Sequence, residues 1–275
     1  MRRLFERSAT TREYFPAPQA QKPYGLGCAI PYDLRIAKAS DPLSREDQTS
    51  DKAIIVAPSI LSADFRRLAE EVRSVDVAGA DWIHVDIMDG RFVPNITFGP
   101  IIVSAIRQCT EKPLNVHLMI VEPERYVAAF AEAGADHILV QAEPGSTTHL
   151  HRVLSQIREL GKKPGVVLDP ASPIEMVEYV IHLCDIVLVM TVNPGFSSQK
   201  FLPEMLPKIR RVRELCDHRG LNTIIEVDGG ENADTAAQAI EAGANAIVAG
   251  STIFGSQDYA AAIAAIRNGV PACRV

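Results

Sequence analysis

The chain has no apolar run approaching the ~18–20 residues needed to cross a bilayer, so neither a membrane span nor a membrane partner is expected. Aromatic residues are few, 6% with a single Trp, while 47% of residues are hydrophobic and 23% charged. That balance excludes a disordered or fibrous chain and fits an α/β enzyme. At 275 residues there is enough apolar content for one large domain. Cysteine is scarce and odd in number: Cys28, Cys109, Cys184, Cys216 and Cys273 show no Cys-x-x-Cys spacing. They read as ordinary thiols of a reducing compartment, not as a disulfide framework. Positive charge is in deficit, with a formal net charge of −6. This argues against nucleic acid as a partner, because phosphate-backbone binding needs a basic surface. The deficit is uneven: residues 1–53 carry +2 and the remainder −8. Any anion site in the acidic part must be made locally, from backbone amides or a metal.

Residues 1–53 do not pattern like the rest. Pro16, Pro18, Pro23, Pro31 and Pro42 fall among polar residues with no sustained period, so this stretch reads as an irregular N-terminal extension, poorly ordered or peripheral. Arg2, Arg3, Arg7 and Arg12 with interspersed Ser and Thr have the look of a transit peptide, but Glu6 and Glu13 count against it. The expected location is the cytoplasm, with a plastid as the alternative if residues 1–53 include such a peptide.

From residue 54 to 275 the pattern is regular. Short β-branched runs occupy 54–58, 82–87, 114–118, 137–141, 165–168, 186–190, 223–227 and 246–249. Amphipathic stretches separate them; Phe65, Leu68, Ala69 and Val72, for example, share one helical face. Ala-Gly-Ala recurs at 78–80, 133–135 and 242–244, where a glycine closes a helix before the next strand. Eight alternations predict a (β/α)₈ barrel near its minimum length. An open doubly wound sheet would place a glycine-rich fingerprint after its first strand, and Ala57-Pro58-Ser59-Ile60-Leu61-Ser62 contains no glycine.

In such a barrel the active site lies at the C-terminal ends of the strands. His84, Asp86 and Met88 project from one face of their strand, and His117 with Met119 repeat the arrangement on the next. Ser59, Met190, Glu226 and Asp228 complete the polar and sulfur-bearing strand ends. Any single inward His is most simply a hydrogen-bonded core residue. His84, Asp86, His117 and Asp228 converging at one rim instead make a site for one divalent metal ion per subunit: Zn²⁺, Fe²⁺, Mn²⁺ or Co²⁺. Late loops supply phosphate-type signals: Asn193-Pro194-Gly195-Phe196-Ser197-Ser198-Gln199, then Asp228-Gly229-Gly230, then Gly250-Ser251 before a short helix. Metal, phosphate grip and two carboxylates from opposite sides of the barrel imply proton chemistry. Asp86 and Asp228 are the candidate catalytic pair, one removing a proton from one face of a planar intermediate and the other returning it to the opposite face. The metal would stabilise the enediolate. Met88, Met119 and Met190 would wall it with polarizable, non-donating groups, although three Met at strand ends also serve as core filler.

Several of these segments together resemble the ribulose-phosphate 3-epimerase (pentulose-5-phosphate 3-epimerase) family, metal-dependent barrels of the ribulose-phosphate-binding type. They are Ala57 to Phe65, His84 to Asn95, His117-Leu118-Met119-Ile120, Asn193 to Phe196, Glu226 to Gly230 and Val248 to Ser251, and the likeness runs in order from about residue 54 to 267. The resemblance implies that His84, Asp86, His117 and Asp228 hold the metal, with Asp86 as proton acceptor and Asp228 as proton donor. It implies that Ser59 and His117 contact the sugar. Gly195, Phe196, Ser197, Ser198, Asp228, Gly229, Gly230, Gly250 and Ser251 would bind substrate and its phosphate. It further implies a small phosphorylated ketose, interconversion of D-ribulose 5-phosphate and D-xylulose 5-phosphate, a homo-oligomer (dimer or hexamer), and a place in the pentose phosphate pathway or the Calvin cycle. Three positions depart from the family pattern: Ser197-Ser198 stand where Gly-Gly is usual, Gln141 where His is usual, and Asp169-Pro170-Ala171 where Asn-Pro-Gly is common. The competing readings are an epimerase of another ketose phosphate on the same site, and a sugar-phosphate-binding regulatory homologue. A decarboxylase of the same superfamily would require Lys at these strand ends, and none is there.

Overall fold

Alternate strand residues face opposite sides, and here both sides are covered. Val56, Val85, Val116, Ile138, Val166, Val187, Ile225 and Ile247 point outward into a core shared with the helices. Ala57, Trp82, Leu139, Val167, Leu188 and Val248 fill the inside. Fully burying each such side chain contributes roughly 1.5–3 kcal/mol, which explains the near-continuous apolar runs expected of a parallel sheet.

The computed structural model describes residues 53–269; apart from Ala53, the extension expected over 1–53 lies outside them. Eight parallel strands, β1 (Ile55–Pro58), β2 (Ile83–Met88), β3 (Leu114–Met119), β4 (His137–Gln141), β5 (Lys163–Leu168), β6 (Ile186–Met190), β7 (Ile224–Asp228) and β8 (Ala246–Ala249), pair in the order β1-β8-β7-β6-β5-β4-β3-β2. The helices are α1 (Leu68–Val77), α2 (Pro100–Arg107), α3 (Val127–Glu132), α4 (Leu150–Glu159), α5 (Glu175–Glu178), α6 (Leu206–His218), α7 (Ala233–Glu241), α8 (Ser251–Phe254) and α9 (Tyr259–Asn268), with 3₁₀ turns between some of them. This is the expected (β/α)₈ barrel.

The seam between β1 and β2 is held by a single parallel bridge, Ser59 to His84. Two of the candidate site residues thus sit where the barrel closes. β5 begins two residues before the expected 165, at Lys163-Pro164-Gly165, because its pairing is set by β4 and not by propensity. Gly165 leaves room for Leu139: a Cβ there would lie 2.5 Å from Leu139 Cγ.

Candidate active site and metal centre

The barrel interior is polar where an apolar core would be cheaper. His84, Asn115, His117, Gln141 and Glu226 are fully buried, and Asp86 nearly so. Buried polar groups are stable when partnered, and these largely partner one another, with Asn115 Oδ1, Gln141 Oε1 and Glu226 Oε2 left over. Asp86 Oδ1 lies 3.2 Å from His84 Nε2 and 3.2 Å from His117 Nδ1. His84 Nε2 is 3.9 Å from Asp228 Oδ2. One ligand atom from each of His84, Asp86, His117 and Asp228 lies within 4.8 Å of all the others. Ligands at Zn–N and Zn–O distances in a tetrahedral site are about 3.4 Å apart, so the cluster has the donor set and spacing of a divalent metal centre.

The far side of each imidazole is also held. Asn115 Nδ2 is 3.3 Å from His84 Nδ1 and donates to Glu226 Oε1 at 2.5 Å, and Glu226 Oε1 stands 3.6 Å from His84 Nδ1. On the other ring, the Gln141 amide lies 3.0 Å from His117 Nε2, with Gln141 Oε1 otherwise unpartnered. If Nδ1 of His117 is the ligand, its Nε2 carries the proton and needs an acceptor. Gln141 Oε1 meets it when the amide is turned by 180°.

The two carboxylates differ in environment. Burial pushes Asp86 up, but His84 and His117 on Oδ1 overcome it and hold the group well below the usual carboxylate range. Ser59 Oγ also donates to Asp86 Oδ2 at 2.6 Å. Asp228 has no such pair of imidazoles. Burial first, and then the Asp86 charge, push it up to about 8. Before any metal binds, the cluster therefore holds one ionised carboxylate and one protonated one, the arrangement in which acid and base roles separate.

Above the cluster lies a pocket lined by Ser59, Asp86, Asp228 and the sulfur-bearing side chains of Met88, Met119 and Met190. Gly195 to Ser198, Gly229, Gly230, Glu231, Gly250 and Ser251 are among its other lining residues. His84 and His117 are not in its lining: both are fully buried behind Asp86. Met88 and Met119 pack with Val93, while Met190 caps the apolar interior.

Sequence comparison matches residues 55–254 to the model of the ribulose-phosphate 3-epimerase family. The chain belongs to the ribulose-phosphate 3-epimerase family. It is 64% identical to the ribulose-phosphate 3-epimerase of Synechocystis, over 79% of this chain and 94% of that one. It is 55% identical to the chloroplastic ribulose-5-phosphate-3-epimerase of Arabidopsis thaliana, over 84% and 82% respectively, and 55% identical to the Bacillus subtilis ribulose-phosphate 3-epimerase, over 78% and 99%. Among solved structures, a 3-hexulose-6-phosphate synthase superposes with a TM-score of 0.57 at 18% identity, over 79% of this chain and 99% of that one, a likeness of fold. The protein is accordingly an isomerase, an epimerase of this family.

The loop after β6 shows what the family departure at Ser197-Ser198 does. Gln199 Nε2 donates to the carbonyls of Asn193 (2.6 Å) and Phe196 (2.9 Å), and Asn95 Nδ2 donates to that of Gly195 (3.0 Å). Within this stapled loop Ser198 has φ +59° while Ser197 does not have a positive φ. Left-handed backbone costs an L-residue roughly 1–2 kcal/mol, more for a β-branched one. Ser198→Val in the epimerase is therefore expected to raise KM at least about fivefold with kcat little changed, while Ser198→Gly leaves KM equal or lower. Steady-state kinetics on all three proteins check this; equal KM values would show that backbone strain at 198 does not govern the loop.

Asn115 and Glu231 were not singled out from sequence, and Gln141 and Glu226 were named there without the contacts they make. Asn115 sits mid-strand as a neutral amide with no motif to mark it, and Gln141 was noted only as a departure from the family's His, without its contact to His117. Glu226 was read as a polar strand end, but its role behind His84 depends on a register between β2 and β7 that lies across the barrel. Glu231, which follows Gly229-Gly230, is only 4% exposed and lines the same pocket; its neighbours Asn232 and Asp234 resemble an ordinary solvated helix start.

Proposed function

We propose that the protein interconverts D-ribulose 5-phosphate and D-xylulose 5-phosphate by passing the C3 proton between Asp86 and Asp228. The observation that carries this reading is the pair itself: two carboxylates lining one pocket, joined through His84 at 3.2 Å and 3.9 Å, with opposite pKa displacements. Asp86, kept ionised by His84 and His117, removes the C3 proton of the ribulose epimer. Asp228 returns a proton to the opposite face of the planar enediolate, and the roles exchange in the reverse direction. His84, Asp86, His117 and Asp228 would hold the divalent ion (Zn²⁺, Fe²⁺, Mn²⁺ or Co²⁺), which when bound would supply Lewis-acid stabilisation of developing charge. Met88, Met119 and Met190 keep water and donors from the intermediate. Ser59 orients Asp86 and reaches the pocket beside the sugar. Within the described residues, the N–H groups of Gly229, Gly230 and Gly250 donate to no backbone carbonyl outside the regular elements, so they remain available to phosphate.

Gly229 and Gly230 are required for this arrangement. Both have positive φ, and a Cβ would lie 2.4 Å from Val192 Cγ2 in the first case and 2.3 Å from Phe201 N in the second. α8 has only four residues, so any grip at Gly250 and Ser251 comes from individual N–H groups and not from a long helix dipole.

The family reading also carries a homo-oligomer, dimer or hexamer. Exposed apolar side chains at Phe65, Ile96, Ile101 and Tyr126 are of the kind a second subunit covers. The reaction belongs to the pentose phosphate pathway or the Calvin cycle. Its location is taken as the cytoplasm, and similarity to a chloroplastic relative supports the plastid as the alternative. Coupled assays on D-ribulose 5-phosphate and on a hexulose phosphate test the substrate. Turnover of the pentulose at least about tenfold above the hexulose is expected. Comparable or exclusive hexulose turnover overturns the assignment, and turnover of neither supports the regulatory homologue.

A further inference from the structure

The ionisable side chains lining the pocket are Asp86, Asp228 and Glu231; no Lys, Arg or His is among them. A divalent metal held by the first two would neutralise them. Nothing neutralises the third. Its nearest partners are hydroxyl groups: Thr191 from the end of β6 and Thr235 from the first turn of α7, with Thr252 of α8 donating to its backbone carbonyl at 2.6 Å. Asp228 on β7 is the charged neighbour that acts on it, and it acts by repulsion.

The hydrogen-bond directions decide the form of the carboxyl. Thr235 Oγ1 accepts from Asn232 N at 2.8 Å in the capping box of α7 and donates to Glu231 Oε2 at 2.9 Å. Thr191 Oγ1 has one proton, and its short contact is with the Gly229 carbonyl at 2.7 Å. Its second contact, 3.3 Å to Glu231 Oε1, is filled by a separate proton when the glutamate carries one. A protonated Glu231 satisfies the whole chain: Glu231 Oε1–H to Thr191, Thr191 to the Gly229 carbonyl. In a trans peptide the Gly230 N–H points opposite to that carbonyl, so the same chain fixes the direction of one of the free N–H groups. Burial pushes this carboxyl up to about 8, outweighing the hydrogen bonds of Thr235 and Thr191 that would lower it, with Asp228 adding a smaller upward push.

We infer that Glu231 stands as a neutral acid in the wall of the phosphate site, that it orients Gly229-Gly230 through Thr191, and that its ionisation closes the site to a dianionic phosphate monoester. Glu231 thereby sets the alkaline limit of substrate binding. This rests on the reading that the pocket takes a phosphorylated ketose. The only reaction is loss of the Glu231 proton to solvent. The resulting carboxylate faces the phosphate dianion where no basic side chain compensates.

The test compares wild type with Glu231→Gln, both loaded with the same metal, from pH 6.5 to 9.5. KM for D-ribulose 5-phosphate and the inhibition constant of inorganic phosphate are measured in parallel. In wild type both are expected to rise about tenfold or more between pH 7.5 and 9.5, while in Glu231→Gln each changes by less than about threefold. Glu231→Val, which lacks the charge and the hydroxyl contacts, must lose the same alkaline limb. Identical limbs in wild type and variants overturn the inference. If neither protein turns over ribulose 5-phosphate, the substrate assignment fails, and the phosphate inhibition of a substrate that is turned over, or phosphate binding by calorimetry, still decides the role of Glu231.

Thermal unfolding of the metal-free proteins gives an independent readout. A folded-state pKa of about 8 against an ordinary 4.5 means that the native state holds a proton which the unfolded state has released. This Glu231 contribution to stability therefore falls as pH rises from about 4.5 and levels off above about 8. The melting temperature of Glu231→Gln is expected to gain on wild type between pH 5 and pH 8 and no further. A difference independent of pH shows that Glu231 is not held neutral.

Discussion

Asp228→Asn is expected to lower kcat for epimerisation by about 10³-fold, within the 10²–10⁴ typical of a positioned acid–base group, with metal still bound at saturating concentration. The substitution keeps the shape of the side chain and one oxygen for the metal, and removes the ability to carry a proton. On the proposed scheme the two carboxylates serve opposite faces, so the loss is expected to be directional. Asp86 still reaches the C3 proton of the ribulose epimer and exchanges it with solvent. In D₂O, Asp228→Asn should therefore incorporate deuterium into ribulose 5-phosphate without forming the xylulose epimer, and should leave xylulose 5-phosphate unlabelled. The environments support this division. His84 and His117 both touch Asp86 at 3.2 Å, whereas Asp228 has only His84 at 3.9 Å. Near-wild-type epimerisation with metal bound, or equal labelling of both substrates, would falsify the two-carboxylate scheme.

Much of this site is legible in the sequence because strand geometry is periodic. His84, Asp86 and Met88 must share a face once 82–87 is a strand, and β2 indeed runs Ile83–Met88. The same holds for His117 with Met119 on β3. The barrel rule then brings Asp228 to the rim that Asp86 occupies. Contacts across the barrel are not legible in this way. Asn115 meets Glu226 across 111 residues, and Thr191 meets Glu231 across 40; both depend on strand stagger, which no local pattern encodes. Ser197-Ser198 stand out in the sequence as a departure from Gly-Gly, and of the two the structure gives a left-handed backbone to Ser198 alone. The sequence pattern begins this strand at 165, whereas pairing with β4 starts β5 at Lys163, outweighing propensity there. Glu231 was passed over because a glutamate before an N-cap asparagine is usually solvated, and only the closure of Thr191, Thr235 and Thr252 around it removes the water.

Removing the metal should have the largest effect of all, a loss of turnover exceeding about 10³-fold, since stabilisation of developing charge is usually the dominant catalytic contribution. Re-addition of one divalent ion per subunit restores it. The protonation state of the metal-free cluster makes this binding distinctively pH-dependent. Burial disfavours charge on His84, yet Asp86, Glu226 and Asp228 together raise it well above 6.5, while Asp228 is raised to about 8. A proton on His84 thus stands between the carboxylates where the metal would stand. Metal binds the deprotonated ligands, so at pH 7 its binding must expel protons, about one from Asp228 and a further fraction from His84. Calorimetry in two buffers of different ionisation enthalpy should record a net release of roughly one to two protons. The apparent affinity should climb about tenfold per pH unit for each proton released, and the slope should lessen above about pH 8, where Asp228 is already ionised. The bound metal in turn stabilises the fold, by about 2.7 kcal/mol at a free concentration of 100 Kd, so the melting temperature at fixed metal should rise with pH over the same interval. An affinity that is flat between pH 6 and 8, with no proton release, means that His84 and Asp228 are not ligands, and the assignment of the centre fails with them.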